Sequence, residues 1–390
     1  MVFVEQEYFD HANYEGGKKM SRFLRVPNRY LVICVAILVF LAMTFAGGCA
    51  PEEPAVDEPV EDPAEEPTED PAEEPAETVE LVLCHFMAPM HPLHVNVLEP
   101  WAEEVSARTD GRVQIYNYPA NELVAAGDNF SATLEGVIDI GFVLPAYTPG
   151  RFPLTEFLEY PFMFSSPLQS NLTAWELMET HPALRETEYA DVEVLWWGTT
   201  DLGHFLMTEP VETMEDLQGL EIRSPGPVYN DVLAELGATP VTMPVPEVYD
   251  AIDRGIVDGT LLPYSTLYSF SLDEVVDYVL ELDMYATPLH MVANKDAWAQ
   301  ISPGDQEIIR ELLDEFPRTI GEQYEREAAE GKELAEEAGI TIKELSPEEA
   351  QAFRDQLEPL IEEWLDEKEA DGLPAREVYE LMQEIAEKHE

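Results

Sequence analysis

Between Leu217 and Pro263 short apolar runs alternate with longer helix-like ones, and Gly or Pro marks every change. Gly219 to Ile222 reads as a strand running into a Ser-Pro-Gly turn, and Val228 to Leu236 as a helix. Gly-Ala-Thr-Pro-Val241 is a second strand, Glu247 to Arg254 a short helix, and Val257 to Pro263 a third strand. Strands separated by helices in this way build an α/β layer architecture. Arg223 falls at the end of the first strand, where open α/β sheets expose their ligands. Its planar fork can grip a carboxylate with two parallel hydrogen bonds.

The same alternation extends on both sides. Val79 to Phe86, Val113 to Tyr118, Ile138 to Leu144 and Val192 to Trp197 read as strands, and Val95 to Arg108 and Leu168 to Thr180 as helices. A folded region of roughly 310 residues exceeds one comfortable hydrophobic core, so two lobes are expected. Ser302-Pro-Gly-Asp305 and Ser346-Pro-Glu-Glu349 each place a serine cap, a first-turn proline and an acid three residues after the cap, so both start helices. After the first, Ile309, Leu312, Leu313, Phe316 and Ile320 keep helical spacing. The C-terminal Glu/Leu pattern is helical surface without sustained heptads.

The N-terminus reads differently. Arg22, Arg25 and Arg29 precede an apolar run from Tyr30 to Phe45 and then Ala46-Gly47-Gly48-Cys49, the pattern of a secretion signal ending in a lipobox. The run is short for a membrane span of about 20 residues, and small residues before a cysteine favour cleavage and lipidation of Cys49 over an uncleaved anchor. Residues 1–49 are therefore read as a signal segment with Met20 as its start. Residues 50–79 are almost wholly Pro, Glu, Asp, Ala, Val and Thr, with prolines at 59, 63, 67, 71 and 75. Such a tract forms no core, and regular proline with repelling charge makes it an extended spacer. Cys34 would leave with the signal and Cys49 carry lipid. Cys84 then stands alone, and no intrachain disulfide is expected. The formal charge is −59, which makes nucleic acid and anionic lipid poor partners, and lysine is absent between Met20 and Asn294. It suits a surface exposed to high salt or high pH, where screening relieves self-repulsion.

The order LxGLxIR223, GATPVxMPxxEVYDAI and RGIVDG, with Pro263 four residues on, resembles the DctP-type solute receptors of tripartite ATP-independent periplasmic (TRAP) transporters. The resemblance continues through Ala88-Pro-Met-His91-Pro, Tyr118-Pro-Ala, Gly136-Val-Ile-Asp-Ile-Gly141, Tyr147-Thr-Pro-Gly-Arg-Phe-Pro153 and Met291-Val-Ala-Asn294-Lys, and so spans roughly residues 80–390. It implies an α/β, two-lobed, periplasmic-binding-protein-like fold with a hinge-spanning long helix and a ligand cleft between the lobes. The lobes would comprise 80–200 plus 288–315, and 201–287 plus 316–390. It further implies that Arg223 binds the ligand carboxylate, and that the ligand passes to small and large membrane permease subunits. The receptor would be held outside the cell membrane by the lipid on Cys49.

Departures from the family pattern narrow the ligand. Leu262 stands where many relatives place a second polar contact, and Asp201-Leu-Gly-His204-Phe occupies the region where many carry a second arginine. Phe86, Tyr147, Phe162, Trp197 and Tyr264 are candidates for the cleft wall. A single fixed charge among apolar walls fits a small organic acid, an apolar or aromatic monocarboxylate, because a buried polar group without a partner costs about 1–3 kcal/mol. Arg151 follows Pro-Gly in a loop and Arg254 ends a helix, so these are weaker candidates, whereas Arg108 and Arg112 flank a turn and read as surface. His85, His91 and His94 match no zinc spacing, and a hydrogen bond from one of them to the ligand fits better than a metal. No GxSxG, P-loop, dinucleotide fingerprint or CxxC is present, and Ser265, Ser269 and Ser271 have no readable triad context. No cofactor and no enzymatic activity are expected. A ligand-sensing receptor for a signalling partner is the alternative, and an exported hydrolase a more distant one.

Overall fold

The computed structural model describes residues 78–390; the signal segment, Cys34, Cys49 and nearly all of the spacer lie outside them. Among the described residues no helix is long and apolar enough to cross a membrane. The described residues form ten strands: β1 Val79–Cys84, β2 Val113–Tyr118, β3 Ile140–Val143, β4 Val192–Met207, β5 Glu221–Ser224, β6 Thr239–Thr242, β7 Gly259–Pro263, β8 Tyr278–Glu281, β9 Ala286–Asn294 and β10 Thr341–Glu344. Helices α1 Glu99–Arg108, α2 Asn129–Leu134, α3 Pro167–Thr180 and α4 Pro182–Glu188 come first. Next are α5 Pro227–Glu235, α6 Val248–Asp253, α7 Ser265–Ser269 and α8 Lys295–Trp298. The last are α9 Pro303–Leu313, α10 Phe316–Ala338, α11 Pro347–Ala370 and α12 Ala375–Lys388.

The strand order is β2-β1-β3-β9-β4-β7-β5-β6, with β8 joining β4 to β10. The neighbours of β1 are parallel to it, and so are those of β5, because a helix connects each strand to the next. Antiparallel β4 and β9 join the two parallel sets. Residues Val192–Leu202 of β4 pair with β9, and Gly203–Met207 pair with β7, across a register shift between Thr199 and Leu202. One long strand thus belongs to both sheets, and a bulge marks the change of partner. The mixed α/β architecture, two sheets with helices over them, is the two-lobed fold that the sequence implies.

Local chemistry explains the helix starts. Ser302 and Ser346 accept hydrogen bonds from the backbone N–H of Asp305 and Glu349, at 3.2 and 3.3 Å, and Glu349 completes a capping box by accepting from Ser346 N–H. The apolar spacing from Ile309 to Ile320 does not form one helix. α9 ends at Leu313, and α10 begins at Phe316 with Pro317 in its first turn, the position where the missing proline N–H costs nothing. α10 and α11 are the two long helices, of 23 and 24 residues, and two glycines let α10 approach elements on either side. A Cβ on Gly321 would lie 2.8 Å from Leu168 Cα in α3, and one on Gly331 would overlap the backbone of Tyr264 before α7. The C-terminal helix α12 lies on α3: Gln169 Nε2 donates to Ala386 O at 3.0 Å, and Lys388 pairs with Glu176 at 2.7 Å.

Candidate functional site

Arg223 is the penultimate residue of β5, flanked by Thr260 on β7 and Val241 on β6. This is the carboxyl end of a parallel set, where helices connect strands and leave a crevice. The side chain is 1% exposed. Its Nε donates to Met243 O at 2.8 Å and its Nη2 to Tyr147 Oη at 3.4 Å, while Nη1 has no partner. Among the described residues it enters no ion pair. Arg151, Arg254, Arg108 and Arg112 are engaged elsewhere: Arg108 with Glu311, Arg112 with Asp305, Arg254 with Asp250, and Arg151 over the Phe130 ring at 4.8 Å.

The guanidinium lines a cavity of about 50 Å³ whose walls include Phe86, Leu144, Tyr147, Leu262, Phe270 and Leu289. Both parallel sets contribute to it, since Phe86 and Leu144 follow β1 and β3, whereas Leu262 lies on β7. Tyr147 closes a short turn after β3 and reaches across to the other sheet. Its oxygen accepts from Val245 N–H at 2.8 Å as well as from Arg223. Both lone pairs are then used, so its own O–H remains to donate. Burial pushes this phenol above its ordinary range, with the Arg223 charge opposing, so it keeps its proton.

His91 supplies a third donor to the wall. Its Nδ1 accepts from Leu93 N–H at 3.2 Å, and burial, aided by the nearby His94, pushes its pKa down to about 3. The ring is neutral and its proton sits on Nε2. His85 and His94 form a separate pair, Nε2 to Nδ1 at 3.0 Å, extended to Glu99 at 3.6 Å. No group of three or more metal-binding side chains exists among the described residues. Three cavity hydroxyls are engaged: Thr200 donates to Asp201 O, Thr266 to Pro263 O and Ser265 to Asp201 Oδ1. Donors of Arg223, Tyr147 and His91 remain at the wall beside apolar carbon, together with the Tyr324 hydroxyl. A group that only accepts, such as a carboxylate, complements them.

The sequence candidates thus divide. Arg223, Tyr147, Phe86 and Leu262 line the cavity. Trp197 does not: it is fully buried on β4, where its Nε1 donates to Tyr189 Oη at 3.2 Å and its ring lies near His290. The bulge between Val194 and Trp196 sets which face each side chain takes, and nothing in the apolar pattern foretells it. Tyr264 also turns away, its ring 4.4 Å from that of His204 and its backbone under Gly331. Phe162 carries the Arg354 guanidinium 4.1 Å above its ring, in a different surface recess. Sequence reasoning missed Phe270, Leu289 and Tyr324, which reach the wall from distant segments.

Residues 83–368 match the family model of bacterial extracellular solute-binding protein, family 7, DctP. The chain is 26% identical over 282 residues to a solute-binding protein of Chromohalobacter salexigens, covering 72% of this chain and 82% of that one. It is similar in structure to a TRAP solute-binding protein of Rhodoferax ferrireducens in complex with copurified benzoate: TM-score 0.76, 29% identity, 80% of this chain and 98% of that one. A TRAP periplasmic solute-binding protein of Bordetella bronchiseptica with bound (R)- and (S)-mandelate gives a TM-score of 0.74 at 28% identity, covering 80% and 100%. These are transporter receptors that work with membrane permease subunits, and none is an enzyme. The chain belongs to bacterial extracellular solute-binding protein family 7, the DctP solute receptors of TRAP transporters.

Proposed function

We propose that this receptor captures an apolar or aromatic monocarboxylate through Arg223 and hands it to a TRAP permease. One observation carries the reading: a buried guanidinium at a cavity wall has an unpartnered Nη1 and no carboxylate beside it. Burying a charge costs several kcal/mol unless an opposite charge and hydrogen bonds compensate it. A ligand carboxylate, gripped by Arg223 and receiving the Tyr147 and His91 protons, supplies that compensation. Leu262, Phe86 and Leu289 offer nothing to a second carboxylate or a row of sugar hydroxyls, which argues against dicarboxylates and sugar acids. The benzoate and mandelate held by the two similar structures support the same class.

The cavity of about 50 Å³ is smaller than the roughly 150 Å³ that accommodates benzene in an engineered protein core. An aromatic acid therefore enters with the two sheets moved apart, and the receptor closes around it by bending where β4 changes partner. The lobes we propose are 80–200 plus 288–315 and 201–287 plus 316–370, with α12 assigned to the first because it packs on α3. The acidic tract would hold this receptor away from the membrane on a lipid at Cys49, which mass spectrometry of the mature N-terminus tests. A thermal-shift panel of benzoate, mandelate, branched-chain 2-oxo acids, succinate and glucuronate tests the ligand class. At one hundred times its dissociation constant a true ligand adds about 2.7 kcal/mol of stability. Shifts confined to succinate or glucuronate would contradict the proposal.

A further inference from the structure

Behind the cavity wall, β4, α7 and α10 meet around two carboxyl groups. Asp201, fully buried on β4 within the change of register, accepts from Ser265 Oγ at 2.7 Å and from Ser265 backbone N–H at 3.1 Å. Glu327, equally buried on α10, accepts from Gln323 Nε2 at 3.0 Å through one oxygen, and its other oxygen has no partner. Neither enters an ion pair among the described residues. The titratable groups around them are Tyr324, Arg326 and Glu330 from α10, Tyr268 from α7, and Tyr285 ahead of β9. Arg326, the one cation among these, donates to Gln323 Oε1 at 2.7 Å. Burial pushes Asp201 up to about 7; burial, with the charge of Asp201 adding to it, pushes Glu327 up to about 8.

We propose that Asp201 and Glu327 form a proton-held clasp: with a proton on the pair α10 stays seated on β4 and α7, and its loss at alkaline pH drives these elements apart. Each carboxyl that ionises there gives up water with no cation paired to it, and the charge of Asp201 further opposes that of Glu327, whereas a protonated group avoids both costs. Both groups have folded pKa values above the unfolded range of about 4. The stabilisation is therefore complete below about pH 4 and is lost as pH rises through 7 to 8. Ser265, bonded to Asp201, and Tyr324, one turn before Glu327, both line the ligand cavity. A released clasp would loosen that wall and weaken capture at alkaline pH. Only this consequence rests on the ligand reading; the clasp itself is tested without ligand.

The test uses the ligand-free full chain. Hydrogen exchange is measured at pH 6 and pH 9, corrected for intrinsic rates, in the wild type and in Glu327→Gln. Wild-type amides of residues 320–331 should lose protection on the order of tenfold, one pKa unit's worth, while those of 303–313 stay level. Glu327→Gln should hold its protection at pH 9. Asp201→Asn, which keeps an acceptor for Ser265, serves as a second variant read in the same way. Infrared spectroscopy of the wild type at neutral pH should also show a protonated carboxyl band that diminishes in Glu327→Gln. Absence of that change, or a pH profile shared by wild type and variants, would overturn the clasp.

Discussion

Replacing Arg223 with methionine separates the two things a buried guanidinium does. In the ligand-free protein the charge is 1% exposed with Nη1 unpartnered, so its removal relieves a desolvation cost of several kcal/mol. Against that, Met243 O loses the 2.8 Å bond from Nε, and an unsatisfied buried carbonyl costs about 1–3 kcal/mol. Methionine fills most of the same volume. The expected balance is a melting midpoint unchanged or raised. Binding behaves in the opposite way, because truncating one partner of a buried charge pair costs about 2–5 kcal/mol, a loss of affinity from about 30-fold to several thousand-fold. Thermal denaturation without ligand and calorimetric titration with benzoate measure the two effects on one preparation. A variant destabilised by several kcal/mol that still binds as wild type would refute the reasoning, since Arg223 would then be a structural residue.

Four further outcomes follow from packing and charge. Trp197→Ala should lower stability by about 3–5 kcal/mol, as large-to-small changes in a tight core do; Tyr147→Phe, which strips Val245 N–H and Arg223 Nη2 of their acceptor, should lower stability by about 1–3 kcal/mol and lower affinity as well, read by urea unfolding and calorimetric titration. Gly331→Ala should destabilise by roughly 1–3 kcal/mol through overlap with the Tyr264 backbone, measured by urea unfolding, and an unchanged midpoint would mean that α10 shifts freely. Raising salt from about 0.01 M to 1 M shortens the screening length from about 30 to 3 Å. With a formal charge of −59 the melting midpoint should rise across that range, and a fall would mean that attractive pairs dominate the surface.

The parts of this fold that were legible in the sequence are those written in local chemistry. The strand–helix alternation from Leu217 to Pro263 was readable because Gly and Pro punctuate it, and the serine caps at 302 and 346 because a cap needs only neighbours within one turn. Arg223 was legible for a similar reason, as a charged residue where an apolar strand ends. The length of β4 was not: the apolar run suggested an end at Trp197, yet ten further residues stay extended because β9, then β7 and β8, pair with them. Trp197 and Leu262 were both plausible walls, and only the bulges in β4 and the register with β7 decided between them. Tyr147 binds Val245 and Arg223 across long sequence separations, and Asp201 meets Ser265 from a distant segment. Such convergence depends on the packed lobes, and no local pattern encodes it.

The most direct test of the central claim is a crystal structure grown with the acid that gives the largest thermal shift. The ligand carboxylate should lie about 2.8 Å from Arg223 Nη1, with the Tyr147 hydroxyl donating to it and Leu262 and Phe86 against its apolar body. A carboxylate bound elsewhere, with Nη1 still unpartnered, would contradict the account.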